Sequence, residues 1–193
     1  MAPVVAGIVL AAGSSRRMGR CKLLLPWRGR PVLDHVLRAA RASAIGHRIL
    51  VLGHEAAAIR AALDLGGFTV LENPDYPDGQ STSMRVGLLA APAGCTGYLF
   101  LLGDQPGITA AFIDGLLARH VAEPDRILVP TVAGRRTSPV LFPAGMRWEL
   151  LAVTGDQGGR PLLEARPNRV RAVVVEEPGL LRDVDEPGDL AGC

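Results

Sequence analysis

A seven-residue apolar run, Val4 to Leu10, passes into a loop of small and cationic residues and then, from Pro31, into an amphipathic pattern. This order constrains the fold most. A run with no polar position suits a strand buried on both faces, the setting of a central strand in a parallel sheet. The loop reads Leu10-Ala11-Ala12-Gly13-Ser14-Ser15-Arg16-Arg17-Met18-Gly19-Arg20-Cys21-Lys22-Leu23-Leu24-Leu25-Pro26, and Arg16 to Arg30 hold six cations and no acid. Backbone N–H groups among small residues, at a strand end and beside fixed cations, make a place to hold a polyphosphate. Nucleotide chemistry is the first expectation.

The strand-then-helix order repeats. Arg48 to Leu52, Phe68 to Glu72, Gly97 to Leu102 and Ile127 to Pro130 are short apolar runs. Between them Val32, Leu33, Val36, Leu37 and Ala40 share a helical face, as do Phe112, Ile113, Leu116 and Leu117, with Thr109 as a cap for the second helix. Such alternation predicts a mainly parallel sheet with helices on both faces. Ligands bind such sheets at the carboxyl ends of the strands, so the polar loops after Leu10, Glu72 and Leu102 are expected to converge on one crevice. Beyond Pro139 the pattern is less regular, with a strand at Val170 to Val175 and a further candidate at Leu180 to Val184. At 193 residues, with no repeat and no linker, a single domain spanning 1–193 is expected.

Composition narrows the function. Apolar residues at 48% fit a globular chain and exclude a disordered one. Net charge is only +2 and aromatics only 4%, so the cations matter by clustering, and a nucleic-acid partner is not expected. No apolar run reaches the ~20 residues of a membrane span. No cationic segment precedes Val4 to Leu10, which is short for a signal peptide, so a cytoplasmic location is expected. Cys21, Cys95 and Cys193 match neither a metal spacing nor a disulfide framework. Cys21 is either a thiol whose pKa neighbouring cations lower or a plain loop position.

The glycines of the first loop fit neither phosphate-loop signature: no Lys-Ser or Lys-Thr follows Gly19, and G-x-G-x-x-G is absent. A generic turn would not gather Arg16, Arg17, Arg20 and Lys22, whose repulsion is unfavourable unless an anion is expected. Asp104, in Gly103-Asp104-Gln105-Pro106, is placed at a strand end to hold Mg²⁺, or else serves as a turn residue or helix cap. Asp183 and Asp185 share a side if their segment is extended; the alternative is a polar turn before a short helix. Gln80 and Ser83 can meet a base edge or a ribose, while Ser81 and Ser83 can instead cap a helix. Of four histidines, His120 falls at a helix end where its charge would suit the dipole. No Ser-His-Asp or Cys-His set appears, which disfavours a protein nucleophile.

Taken in order, these loops resemble the nucleotidyltransferase family that includes the molybdenum cofactor cytidylyl- and guanylyltransferases. The resemblance rests on Leu10-Ala-Ala-Gly13-x-Ser15-x-Arg17-Met18-Gly19-x-x-Lys22, Leu24-Leu25-Pro26, Gly29-x-Pro31, Asn73-Pro74, Gly79-Gln80-Ser81-x-Ser83 and Gly103-Asp104-Gln105-Pro106. It continues through Pro139-Val140, Thr154-Gly155-Asp156-Gln157-Gly158-Gly159-Arg160 and Asp183-Val-Asp185-x-Pro187, nearly the whole chain. The family often has Gly-His or Gly-Asn where Thr137-Ser138 stands here, and Thr where Glu186 stands.

The resemblance implies a three-layer α/β/α Rossmann-like nucleotidyltransferase fold. It implies transfer of a nucleotidyl group from an NTP to the terminal phosphate of molybdopterin, with loss of pyrophosphate. Gly13, Arg17 and Lys22 would hold the triphosphate, and Asp104 and Asp185 would hold Mg²⁺. Lys22, Arg17 and Asp104 are the catalytic candidates. Leu10, Ala11, Ala12, Gly79, Gln80 and Ser83 complete the nucleotide site, and Gly155, Asp156, Gly158 and Arg160 form the acceptor side. A molybdenum hydroxylase apoenzyme or its chaperone is the implied client. The guanylyl branch tends to have glycine at the position of Ala12, which points to CTP rather than GTP. The alternatives are guanylyl transfer, transfer to a sugar or alcohol phosphate, and a non-catalytic cofactor-binding chaperone.

Overall fold

The computed structural model describes residues 4–14, 21–177 and 179–190. Strand β1 (Val5–Ala11) runs through the middle of an eight-stranded sheet. It pairs in parallel with β4 (His47–Leu52) on one side and β6 (Gly97–Leu102) on the other. β5 (Thr69–Glu72) extends the sheet beyond β4. Beyond β6 come β9 (Val140–Pro143), β7 (Ile127–Val132) and β10 (Val170–Val175), with β8 (Arg135–Arg136) folded back on β7. Among the described residues only β9 and β8 oppose the common direction, giving a mixed, mostly parallel sheet. The two-residue strands β2 (Pro26–Trp27) and β3 (Arg30–Pro31) form a separate hairpin.

β1 is apolar throughout because helices cover both faces. Val5, Val9 and Ala11 enter one core with α1 (Val32–Ala42) and α4 (Ala110–Ala122), while Ala6, Ile8 and Leu10 enter the other with α3 (Gln80–Ala90) and α5 (Arg147–Leu151). That alternation follows the two-residue period of a strand. Two short helices, α2 (Ala56–Ala62) and α6 (Arg160–Ala165), complete the layers. The result is an α/β Rossmann-like fold. Thr109 caps α4, its hydroxyl accepting the Phe112 N–H at 3.2 Å. α3 approaches β1 at Gly87, where a Cβ would stand 2.4 Å from Ile8 Cγ2. Among the described residues no helix is long and apolar enough to cross a membrane.

Three expectations are corrected here. Leu180 to Val184 is not a strand: Leu181 and Val184 are buried in the core, while the Leu181 carbonyl and the Val184 N–H are bonded to the turn after β6. The antiparallel strand β9 stands where no strand was expected. His120 is no dipole partner, because it is buried with Nε2 3.1 Å from the Thr96 carbonyl. That contact makes Nε2 the donor and leaves Nδ1 buried without a partner among the described residues. Burial pushes the His120 pKa below its ordinary value, against a smaller opposing effect of the Thr96 contact.

A depressed histidine pKa stabilises the fold above the free value, and this is lost as pH falls, since the unfolded chain then binds the proton more readily. His120→Gln keeps a donor for Thr96 without titrating. Between about pH 7.5 and pH 5 its urea midpoint should fall less than that of the unsubstituted protein. Equal falls would show that His120 is not held neutral.

Candidate active site

The chain leaves β1 for β4 on one side and later enters β6 on the other, so the β1–β6 boundary is a switch point open at the carboxyl ends of the strands. A cavity of about 770 Å³ lies there. Its wall brings together Leu10, Ala11, Ala12, Gly13, Lys22, Gly79, Gln80, Ser83, Asp104, Asp156 and Asp185. The loops after β1, β5 and β6 thus share one crevice. Arg16, Arg17, Gly19 and Arg20 lie outside the described residues. Gly155, Gly158 and Arg160 are not in the wall.

The charge centre joins three distant segments. Lys22 starts a one-turn 3₁₀ helix (Lys22–Leu24) anchored by buried Leu23. Its Nζ donates to Asp104 Oδ2 at 2.6 Å and to Asp185 Oδ1 at 3.0 Å. The Lys22 and Asp104 side chains are 16% and 19% exposed, against 52% for Asp185, so the first pair is the better shielded from water. Burial alone would lower the Lys22 pKa, but the charge and hydrogen bond of Asp104, followed by those of Asp185, outweigh it and the net shift is upward. Lys22 therefore stays an ammonium. Asp183 is shifted up by burial and then by the charge of Asp104, against the lowering effect of the Gln105 amide. Of the two readings of Cys21, the plain loop position is favoured, because burial pushes its pKa up rather than down.

Among the described residues no three or more His, Cys, Asp or Glu side chains group to hold a metal. The carboxylates of Asp104 and Asp185 do meet on one cation, and Asp104 Oδ1 is buried without a hydrogen-bond partner among those residues. That donor set fits a hard divalent cation, which is commonly held by one or two carboxylates together with phosphate oxygens. Asp104 is not a helix cap, since Thr109 caps the next helix.

The opposite wall is the start of α3. Gly79 has φ +109°, and a Cβ there would lie 2.6 Å from the Gly155 carbonyl carbon, so only glycine fits. The Gly155 carbonyl accepts the Ser81 N–H and Asp156 Oδ1 accepts the Gln80 N–H, each at 3.1 Å. Two of the residues expected on the acceptor side thus cap α3 from outside, where a carboxylate also suits the helix dipole. Gly158 packs on Gln80, and Arg160 stands exposed at the start of α6. Ser81 and Ser83 are buried and neither caps the helix.

Asn73 has a role that its place in the Asn73-Pro74 pair does not reveal. Buried Asn73 donates from Nδ2 to Thr82 Oγ1 at 2.8 Å and Ser83 Oγ at 2.9 Å, and its Oδ1 accepts the Asp75 N–H. Its signal was a lone amide at a strand end. Tyr76 also lines the cavity, with its hydroxyl 3.2 Å from His54 Nδ1. Ala12 is buried against Gly53.

Residues 7–170 match the family described as the MobA-like NTP transferase domain, and the chain belongs to that family of nucleotidyltransferases. It is 31% identical over 192 residues to nicotine blue oxidoreductase of Paenarthrobacter nicotinovorans, covering 95% of this chain and 93% of that protein. It is 30% identical to the purine catabolism protein PucB of Bacillus subtilis over 96% of this chain and 93% of that one. With the molybdenum cofactor cytidylyltransferase of Escherichia coli it shares 28% identity over 94% and 91% of the two chains. The crystal structure of Rv0371c from Mycobacterium tuberculosis superposes with TM-score 0.87 at 33% identity, covering 98% of this chain and 96% of that one. A manganese complex of Rv0371c gives 0.85 at 32% identity, over 98% and 100%.

Asn73→Ala leaves the buried Ser83 hydroxyl and the half-buried Thr82 hydroxyl without their amide donor. It should lower unfolding free energy by about 1–3 kcal/mol and speed amide exchange in the first turn of α3. An unchanged denaturant midpoint would remove Asn73 from the support of this wall.

Proposed function

We propose that this chain transfers CMP from CTP to the terminal phosphate of a molybdopterin-type acceptor, releasing pyrophosphate, with Mg²⁺ held by Asp104 and Asp185. The observation that carries the proposal is the Lys22 ammonium shared by those carboxylates beside the Gly13 loop. Family membership supports the reaction class, and the cytidylyltransferase relative supports the acceptor. The manganese complex of Rv0371c supports a divalent cation. A molybdenum hydroxylase apoenzyme or its chaperone is the proposed recipient.

The attacking phosphate oxygen is already ionised near neutrality, so no general base is required. It forms a bond to the α-phosphorus while the bond from that phosphorus to the departing pyrophosphate oxygen breaks. The difficulty is bringing anions together. Lys22, held as an ammonium, supplies a fixed positive charge, and Gly13 and Arg17 complete the proposed triphosphate site. When bound, the divalent cation supplies neutralisation of phosphate charge. Gly79, Gln80 and Ser83 face the base or ribose, with Leu10 to Ala12 as the floor. Gly155 and Asp156 act on the acceptor side while also bracing α3, with Gly158 and Arg160 beside them.

Pyrophosphate release from CTP with and without molybdopterin tests the reading. Release should require the acceptor; acceptor-independent hydrolysis, or no release at all, would overturn it. In that assay Asp104→Asn should lower turnover at least ~100-fold while leaving a folded protein. Lys22→Ala should lower kcat as well as nucleotide affinity, because a contact strengthened in the transition state appears in kcat. Near-normal turnover of Asp104→Asn at saturating Mg²⁺, or a Lys22→Ala effect confined to KM, would contradict these roles.

In this reading Ala12, which lines the cavity, favours the smaller pyrimidine through its methyl. One methyl discriminates by only ~1–3 kcal/mol, so hydrogen bonds from Gly79 to Ser83 supply the rest. With CTP and GTP at equal concentration the cytidine product should dominate. Mostly guanine dinucleotide would defeat the cytidylyl assignment.

A further inference from the structure

The turn after β6 does more than present Asp104. Gln105 is 1% exposed, and its Nε2 donates to the Leu181 carbonyl at 3.1 Å and to Asp183 Oδ1 at 2.8 Å. The Val184 N–H donates to the Asp104 carbonyl at 2.9 Å. Among the described residues the 181–185 segment pairs with no strand, and these bonds, the buried Leu181 and Val184 side chains and the Asp189 contacts place it. Gly107 lets the preceding chain lie close, since a Cβ there would stand 2.5 Å from the Gly179 carbonyl oxygen. Beyond Val184 the Asp185 N–H turns instead to Asp189. Asp185 is thus held from two sides, by the residues just before it and by Asp189, whose Oδ2 accepts its N–H and that of Glu186.

We propose that Gln105 is a positioning residue for the second carboxylate: it ties Leu181 and Asp183 to the β6 turn so that Asp185 meets Asp104 and Lys22 in a preset divalent-cation site. This rests on the reading of Asp104 and Asp185 as metal ligands. A primary amide suits the task because its two N–H groups serve a carbonyl and a carboxylate together. Its Oε1 is buried without a partner among the described residues. Burying that atom is unfavourable, so the side chain is a poor choice for filling space and a good one for aiming two donors.

Mn²⁺ binding, followed by electron paramagnetic resonance with a CTP analogue bearing methylene in place of the α–β bridging oxygen, tests this without turnover. Thermal melts check that each variant folds. Gln105→Met keeps the volume but donates nothing, and it should weaken Mn²⁺ binding about 10- to 100-fold while still melting cooperatively. Asp183→Ala removes the bond from the other side and should do the same, which keeps the test intact if Gln105→Met does not fold. Asp183→Asn keeps an acceptor while losing the charge, and should stay within about threefold of the unsubstituted protein. In an Asp185→Ala background Gln105→Met should change binding by less than about twofold, because the carboxylate it places is gone.

Unsubstituted-level Mn²⁺ binding by both Gln105→Met and Asp183→Ala would overturn the positioning role, as would full additivity in the Asp185→Ala background. If Asp185→Ala itself binds Mn²⁺ normally, the metal-site reading falls and takes this proposal with it. If only Asp185→Ala loses Mn²⁺, the metal site stands and the role of Gln105 falls.

Discussion

One ammonium between two carboxylates organises the carboxyl end of this sheet. Lys22 lies 82 residues from Asp104 and 163 from Asp185, and no local structure brings them together. A partly buried carboxylate or ammonium is costly without a partner of opposite charge. The three groups relieve one another, and the upward shift at Lys22 expresses that balance. The arrangement depends on β1 and β6 being neighbours, because their loops deliver Lys22 and Asp104. It depends equally on the 181–185 segment returning across the β6 turn. A triphosphate and a divalent cation could replace these contacts without changing the charge pattern, with phosphate oxygens taking the ammonium and a metal taking the carboxylates.

The scaffold answers that need by being rigid on both sides. Both faces of β1 are sealed, and α3 presses on it closely enough that Gly87 has no room for a methyl group against Ile8. The far wall is held by polar contacts instead. Asn73 ties the end of β5 to Thr82 and Ser83, and the Gly155–Asp156 loop closes over the first turn of α3. The cavity therefore has one side fixed by ion pairs and another fixed by hydrogen bonds from the Asn73 amide, to the Gly155 carbonyl and to the Asp156 carboxylate.

How much of this was legible in the chain follows from the range of each interaction. β1 and the α1 and α4 faces could be read because burial imposes local periods of two and 3.6, and the Thr109 cap because its bond spans three residues. β9 was missed because four residues ending in Pro143 carry little period. Leu180 to Val184 misled because its apolar residues are anchors of an irregular segment, a role with no local signature. Asp104, Asp185 and Lys22 stood out as charged groups within ordered motifs. Gln105 and Asn73 were visible in those motifs, but not in their roles. The partners of Gln105 lie 76 to 78 residues away, and those of Asn73 depend on where α3 begins.

Anomalous X-ray scattering from crystals of the protein grown with Mn²⁺ and a non-transferable CTP analogue tests the central claim most directly. A manganese peak is expected within coordination distance of Asp104 and Asp185, with the Lys22 ammonium moved onto the phosphates. A bound nucleotide with manganese elsewhere, and Lys22 still bridging the two carboxylates, would contradict it.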